Sequence, residues 1–203
     1  MDERIDRLQR DALKNRSAAV AALARLRRAV GKPPGSLGDI LEYTLAPEFV
    51  GPHAGDTATP QEIAAHVSMT LYAVHQQSQP VWMHRRGYGL GRSIRQLRRD
   101  TGLGEPGSPP DAVLRRFHAL GTADSLEELV HHARGMVQLL RGQQIPLDYG
   151  VFADQLVRWQ EGGGPAKVRL VWGRDFYRPP TTTTRADGQS EPLSTEQSVP
   201  ESA

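Results

Sequence analysis

Apolar residues recur at spacings of three and four through most of residues 2–178, and proline, glycine and helix-capping residues interrupt the pattern at short intervals. This spacing places apolar side chains on one face of an α-helix. Because the interruptions are frequent, the helices must be short and must pack against one another to bury those faces. The sequence therefore predicts an all-α fold, a two-lobed helical bundle of about seven or eight helices with a disordered C-terminal tail.

Individual helix boundaries follow from the same signals. Residues 2–30 are predicted to form one long helix that ends at Gly31, and residues 37–45 a shorter one. Four later helices begin at capping signals, namely Thr59–Pro60–Gln61–Glu62, Ser108–Pro109–Pro110–Asp111, Asp124–Ser125 and Asp148. Another is predicted from about Leu90 to Gly102. Residues 165–178 fit either a strand or a helix, and the spacing of their large apolar residues favours a helix.

The predicted elements fall into three parts. Residues 1–80 are interpreted as an N-terminal helical lobe and residues 81–178 as a C-terminal helical lobe. Residues 179–203 consist largely of Thr, Pro, Ser, Gln and Glu. Such a segment buries too little apolar surface to offset its conformational entropy, so it is predicted to be a disordered tail.

Composition excludes several classes of function. Cysteine is absent, so the chain can form no disulfide, zinc–thiolate site or thiol nucleophile. No apolar stretch approaches the roughly 20 residues needed to cross a bilayer, and a cytoplasmic location is predicted. His131 and His132 are adjacent, so they point about 100° apart on a helix and do not form a chelating pair. We therefore expect no enzymatic activity, no metal site, no cofactor and no membrane partner.

Positive charge is carried mainly by arginine, since only three lysines are present. Residues 84–99 contain six arginines and no acid: Arg85, Arg86, Arg92, Arg95, Arg98 and Arg99. Like charges at this density repel unless an anion binds, and nucleic acid is the commonest such partner. Arginine enrichment also has two causes unrelated to binding. A GC-rich genome replaces lysine by arginine throughout, and the helix dipole favours arginine near a helix C-terminus, where Arg25, Arg27 and Arg28 lie.

The turn Gly87–Tyr88–Gly89–Leu90–Gly91–Arg92–Ser93 admits two interpretations. It lacks the glycine spacing of a dinucleotide fingerprint and the Lys–Ser/Thr pair of a P-loop, so a nucleotide site is not expected. Free backbone N–H groups at the start of a helix could bind a phosphate. Alternatively, the glycines could simply allow a tight turn with positive φ.

Five segments together resemble the small subunit of the type I-E CRISPR Cascade complex, the CasB family. They are ALARLRRAVGKPPG, GYGLGRSIRQL, LRRFHALGTADSLEELVHHARGMVQLLRG, IPLDYGVFADQLVRWQ and VRLVWGRDFYR, and they follow the family's order. The resemblance implies a non-catalytic subunit that stabilises the R-loop through contacts to the displaced non-target DNA strand and the guide–target hybrid. It implies as partners the large subunit, the backbone subunits and a second copy of the chain.

The resemblance also implies site residues. Arg27 and Arg28 match the family's basic pair at the end of the first helix, Arg92 matches the arginine of the central turn, and Arg115 and Arg116 match a later pair. His131 and His132 stand where other members can have arginines. With the charge pattern added, the predicted nucleic-acid-binding residues are Arg27, Arg28, Arg85, Arg86, Arg92, Arg95, Arg99, Arg115, Arg116 and Arg134.

Two alternative functions remain. The segment GTADSLEELVHHARGM could be a turn followed by the recognition helix of a free-standing DNA-binding regulator, although it offers few side chains that read base edges. A helical scaffold that binds only protein is also compatible with the composition, because arginine is enriched at protein interfaces.

Overall fold

The computed structural model describes residues 1–50, 55–102 and 111–178, and within these ranges the chain forms nine α-helices. They are α1 Asp2–Leu13, α2 Ser17–Arg28, α3 Leu41–Thr44, α4 Pro60–Gln76, α5 Leu90–Asp100, α6 Ala112–Thr122, α7 Leu126–Gly142, α8 Tyr149–Trp159 and α9 Gly164–Tyr177. Two short 3₁₀ turns, Gly38–Ile40 and Pro47–Phe49, flank α3. These ranges contain no strand, so the predicted all-α class is confirmed. The predicted tail and the residues Ser108–Pro110 lie outside the described ranges.

The single helix predicted over residues 2–30 is wrong, because the chain turns between α1 and α2. Asn15 adopts a left-handed conformation with φ of 52°, which asparagine tolerates better than most residues. Ser17 then begins α2, and α1 and α2 pack together. The periodicity continues across the turn, since both helices bury one apolar face.

The central element is α4, which contacts α1, α2, α3, α7 and α8. Its thirteen residues Ala64–Gln76 are all buried, as expected for a helix surrounded by others. The predicted capping box is confirmed. The Thr59 hydroxyl accepts from the N–H of Glu62 at 3.2 Å, and the Thr59 N–H donates to the Glu62 carboxylate at 2.8 Å.

Residues 165–178 are helical, as the spacing favoured, and α9 packs closely on α5. Gly91 allows this approach, since a Cβ atom at that position would lie 2.2 Å from the carbonyl oxygen of Trp172. The N-termini of α6, α7 and α8 are capped by Asp111, Ser125 and Asp148, respectively, as predicted. These caps define where the three helices begin, and α6 and α7 carry Arg115, Arg116 and Arg134.

Buried residues from both halves of the chain belong to one cluster, which includes Leu26, Tyr72 and Trp172. The division into lobes at residue 80 stays a prediction. Across the described ranges, every helix is too short or too polar to cross a bilayer.

Candidate nucleic-acid interface

The charge density of residues 84–99 is offset in part by acids from distant positions, which corrects the prediction of six uncompensated arginines. Arg86 lies 3.5 Å from Asp2 and 3.4 Å from Asp6, both on α1. Two further arginines are paired: Arg98 with Asp111, the N-cap of α6, and Arg99 with Asp100 at 3.0 Å. Arg86 and Arg99 are therefore less available to a phosphate than the sequence indicated.

Three arginines of this segment have no acidic partner among the described residues. The guanidinium groups of Arg85 and Arg92 lie 4.9 Å and 4.2 Å from the centre of the Tyr88 ring. Arg92 also donates to the carbonyl of Gly87 at 2.9 Å, and Arg95 donates to the carbonyl of Arg178. Cation–π contacts orient a guanidinium without neutralising its charge, so Arg85 and Arg92 stay unpaired with any acid of the described residues.

The glycine-rich turn is held by Asp148, the N-cap of α8. The carboxylate of Asp148 accepts from the N–H of Gly87 at 2.7 Å, and the N–H of Asp148 donates to the carbonyl of Tyr88 at 2.7 Å. Gly87 has a φ of 78°, which supports the tight-turn interpretation. The carboxylate of Asp175 lies beside Gly89, so an acid of the chain itself already faces the start of α5.

The basic end of α2 contains arginines in three different environments. Arg25 contacts the Tyr43 ring, and Arg28 pairs with Asp39 at 3.1 Å. Arg27 makes no ion pair with any described residue. Partial burial lowers the pKa of Arg27, and the positive charge of Arg141 on α7 lowers it further. The positive charges of Arg27 and Arg141 therefore repel each other.

A second basic group lies on α6 and α7. Arg115, Arg116 and Arg134 are exposed, and none pairs with an acid within the described part of the chain. The guanidinium of Arg116 lies over Gly135 of α7, and a Cβ atom added at Gly135 would be 2.9 Å from it. The structure thus brings Arg116 next to the α7 backbone beside Arg134. Lys32 and Arg134 line the same groove, which links this group to the end of α2.

Seven of the ten predicted site residues therefore lack an acidic partner in the described ranges, and they fall into three places. Arg27 lies at the end of α2, Arg85, Arg92 and Arg95 around the turn and α5, and Arg115, Arg116 and Arg134 on α6 and α7. Arg141 was missing from the predicted set. The signal for it was its position on α7, two turns after Arg134 on the same face.

His131 and His132 do not converge on one point. Their rings are edge to face at 74°, and His132 lies 3.5 Å from the Glu128 carboxylate one turn earlier. The pKa of that carboxyl is lowered, first by the N–H of Asp124 and then by His132. This is ordinary pairing along a helix.

A cluster that the sequence did not indicate joins α1 to α8. The buried His84 lies with its Nε2 atom 3.7 Å from both Asp2 and Asp6, and Asp148 is nearby. The Nδ1 atom of His84 accepts the N–H of Tyr149 at 3.2 Å, so in the neutral ring Nε2 must carry the proton. At 3.7 Å the Nε2 atom makes no hydrogen bond to either carboxylate, so the buried ring and the α1 acids are close neighbours without being bonded.

Comparison with known proteins identifies the family. The profile of CRISPR-associated protein Cse2 matches residues 22–177. CasB from Thermobifida fusca is 36% identical, with a TM-score of 0.66, and the match covers 86% of this chain and 94% of that protein. CasB from Thermus thermophilus is 25% identical, with a TM-score of 0.61, covering 87% and 96% of the two chains.

A chain of a CRISPR RNA-guided surveillance complex is also similar, with 25% identity, a TM-score of 0.61 and coverage of 87% and 91%. No match was found among curated protein sequences. The profile match spans most of the chain, and the Thermobifida fusca relative exceeds 30% identity over almost its full length. The resemblance seen in the sequence is thereby confirmed, and the chain belongs to the CRISPR-associated Cse2 family, which includes the CasB proteins.

Proposed function

We propose that this chain is a non-catalytic, nucleic-acid-binding subunit of an RNA-guided CRISPR interference complex of the Cascade type. Its arginines contact the sugar–phosphate backbone of the displaced DNA strand and of the guide–target hybrid and so stabilise the R-loop. Its protein partners are the large subunit, the backbone subunits and a second copy. Family membership and the similarity to a chain of a surveillance complex support this assignment.

The observation that carries the proposal is the environment of Arg27. Arg27 is partly buried, lines a cleft with Gln77, and makes no ion pair within the described ranges. Arg141 donates to the side-chain oxygen of Gln77 at 3.4 Å, so the two arginines lie on the same part of the surface. Two neighbouring cations without an anion raise the electrostatic free energy of the protein. A phosphate between them removes that cost, and planar guanidinium groups bind phosphate oxygens well.

The alternative of a free-standing regulator is less well supported, because the exposed residues at the start of α7 are the acids Glu127 and Glu128. A recognition helix contacts base edges with its N-terminal residues, and acids there are repelled by the DNA phosphates. Purification of the native protein separates the proposals. Co-migration with a large RNA-containing complex supports the proposed function, whereas migration as a free protein contradicts it.

We expect Arg27→Ala to weaken target-DNA binding by assembled complexes, because it removes one phosphate contact. The slope of log affinity against log salt should fall by about 0.7 for a contact to a single strand. The loss should be equal for two unrelated target sequences, since backbone contacts carry no sequence information. Affinity measured over a salt series gives both quantities.

The neighbouring Arg28→Ala is the matched control, because Arg28 already pairs with Asp39 at 3.1 Å. It should change the affinity and the slope much less than Arg27→Ala does. Unchanged affinity and slope in Arg27→Ala would show that Arg27 is not a phosphate site. A loss restricted to one target would indicate base readout.

A further inference from the structure

A groove of about 520 Å³ separates the end of α2 from α4 and the first half of α7. Apolar side chains line it: Val30, Ile63, Val67, Leu126 and Val130. Pro33 and Pro34 form part of one wall. Grooves of this size and lining hold planar organic ligands in many proteins.

One polar side chain of the groove, His66, is buried close to the backbone at the end of α2. His66 is only 2% exposed, and neither of its ring nitrogens makes a hydrogen bond in the described structure. Burial lowers the pKa of His66, although the nearby carbonyls of Ala29 and Lys32 oppose this effect. The neutral ring offers one donor and one acceptor, and buried groups of this kind ordinarily have partners. Carbonyl oxygens can accept only from the protonated ring nitrogen, so the other ring nitrogen has no donor among the described residues and can accept from a ligand.

The rim of the groove is mainly positive. Lys32 and Arg134 are both exposed, and Arg116 lies beside Gly135 on the same helix as Arg134. His131 also lines the groove, and Glu127 is the acid present there. The groove is therefore complementary to a ligand that has a flat ring with apolar faces and polar edge atoms, and that carries a negative charge on either side of the ring.

We propose that the groove binds one unstacked base of a single nucleic-acid strand. The base lies on the apolar floor with its polar edge at His66, and the flanking phosphates lie at Lys32 and Arg134. A base within a duplex cannot reach such a site, whereas single-stranded bases are free to leave the stack. The inference rests on the proposed function and adds a contact to a base, which is distinct from contacts to the sugar–phosphate backbone.

The test compares two fluorescein-labelled 12-nucleotide strands that carry the same number of phosphates. One is single-stranded DNA of mixed sequence, and the other has an abasic tetrahydrofuran unit at every position. We expect the full-length chain to bind the abasic strand more weakly, by about fivefold to a hundredfold in fluorescence anisotropy titrations. An anion-only site would bind both strands alike.

Groove variants assign the difference to this site. His66→Leu removes the polar side chain of the groove, and Val130→Trp fills the groove. Val130 is partly exposed, so Val130→Trp should fold even if His66→Leu does not. Each should reduce the preference for the natural strand to less than about twofold, while Val20→Trp, on the exposed side of α2, should retain it. Thermal melting establishes that each variant is folded.

A crosslinking measurement is independent of affinity. DNA with 5-iododeoxyuridine at its centre should crosslink to peptides of α4 or α7 that line the groove. Equal binding of the two strands, or crosslinks confined to the Tyr88 turn, would overturn the base site. The salt series on assembled complexes decides separately whether the proposed function stands, because Arg27 does not line this groove.

Discussion

Gly91→Ala is expected to destabilise the chain by about 3 kcal/mol or more and to separate α5 from α9. The added Cβ would lie 2.2 Å from the carbonyl oxygen of Trp172 and 2.9 Å from the N–H nitrogen of Phe176. Both atoms belong to the α9 backbone, so no side-chain rotation relieves the overlap. The helices must move apart, and that movement loosens the packing of Trp172 and Phe176, which are both buried. Urea unfolding followed by circular dichroism gives the free energy of unfolding.

Gly173→Ala is the matched control. It lies in the interior of α9, and a Cβ atom at this position has no heavy atom within 4 Å. Because alanine has a higher helix propensity, this substitution should leave stability unchanged or raise it by up to about 1 kcal/mol. If Gly91→Ala were as stable as the parent, the close approach of α5 and α9 would be wrong.

The fold was largely predictable because helix formation depends on local signals. The capping residues Thr59, Asp111, Ser125 and Asp148 act within one turn of their own position, and all four begin a helix in the structure. The turn at Asn15 was not predicted, because the local apolar pattern does not show where the chain changes direction. Apolar periodicity continues through α1 and α2, and a single residue with positive φ leaves no mark on that pattern.

The candidate site was harder to predict because electrostatic partners are non-local. Within the segment 84–99 the arginines seemed to lack acids, yet Asp2 and Asp6 lie about 80 positions earlier and pair with Arg86. Arg27 and Arg28 are adjacent arginines in the sequence, and they differ only through distant residues: Asp39 pairs with Arg28, whereas Arg27 is partly buried and is influenced by Arg141. The groove at His66 could not be seen either, since α2, α4 and α7 form it together.

Acidification from pH 7.5 to pH 4.5 is expected to cost the parent protein about 2 to 3 kcal/mol through His75 alone. His75 is completely buried, and its Nδ1 atom lies 3.0 Å from the hydroxyl of Tyr149. Burial, with a smaller contribution from Arg141, lowers the pKa of His75 to about 3, although the carbonyl of Ile145 opposes the shift. In the unfolded chain a histidine has a pKa of about 6.5.

The sign follows from proton uptake. Between pH 6.5 and about 3 the unfolded chain binds a proton that the folded chain does not, so the free energy of unfolding falls as the pH falls. Above pH 6.5 the His75 ring is neutral in both states, and the full stability is present. Burial lowers the pKa of His66 as well, so His66 contributes to the loss in the same direction.

A substitution separates the two histidines. His75→Gln keeps a polar group near Tyr149 but cannot titrate, so its free energy of unfolding should fall by about 2 to 3 kcal/mol less than that of the parent over the same pH range. His118→Gln, which changes an exposed side chain on α6, should follow the parent at every pH. Urea unfolding of the three proteins at pH 7.5, 6 and 4.5 makes the comparison. Parallel pH profiles for the parent and His75→Gln would mean that His75 becomes protonated in the folded protein, and the buried contact with Tyr149 would then be wrong.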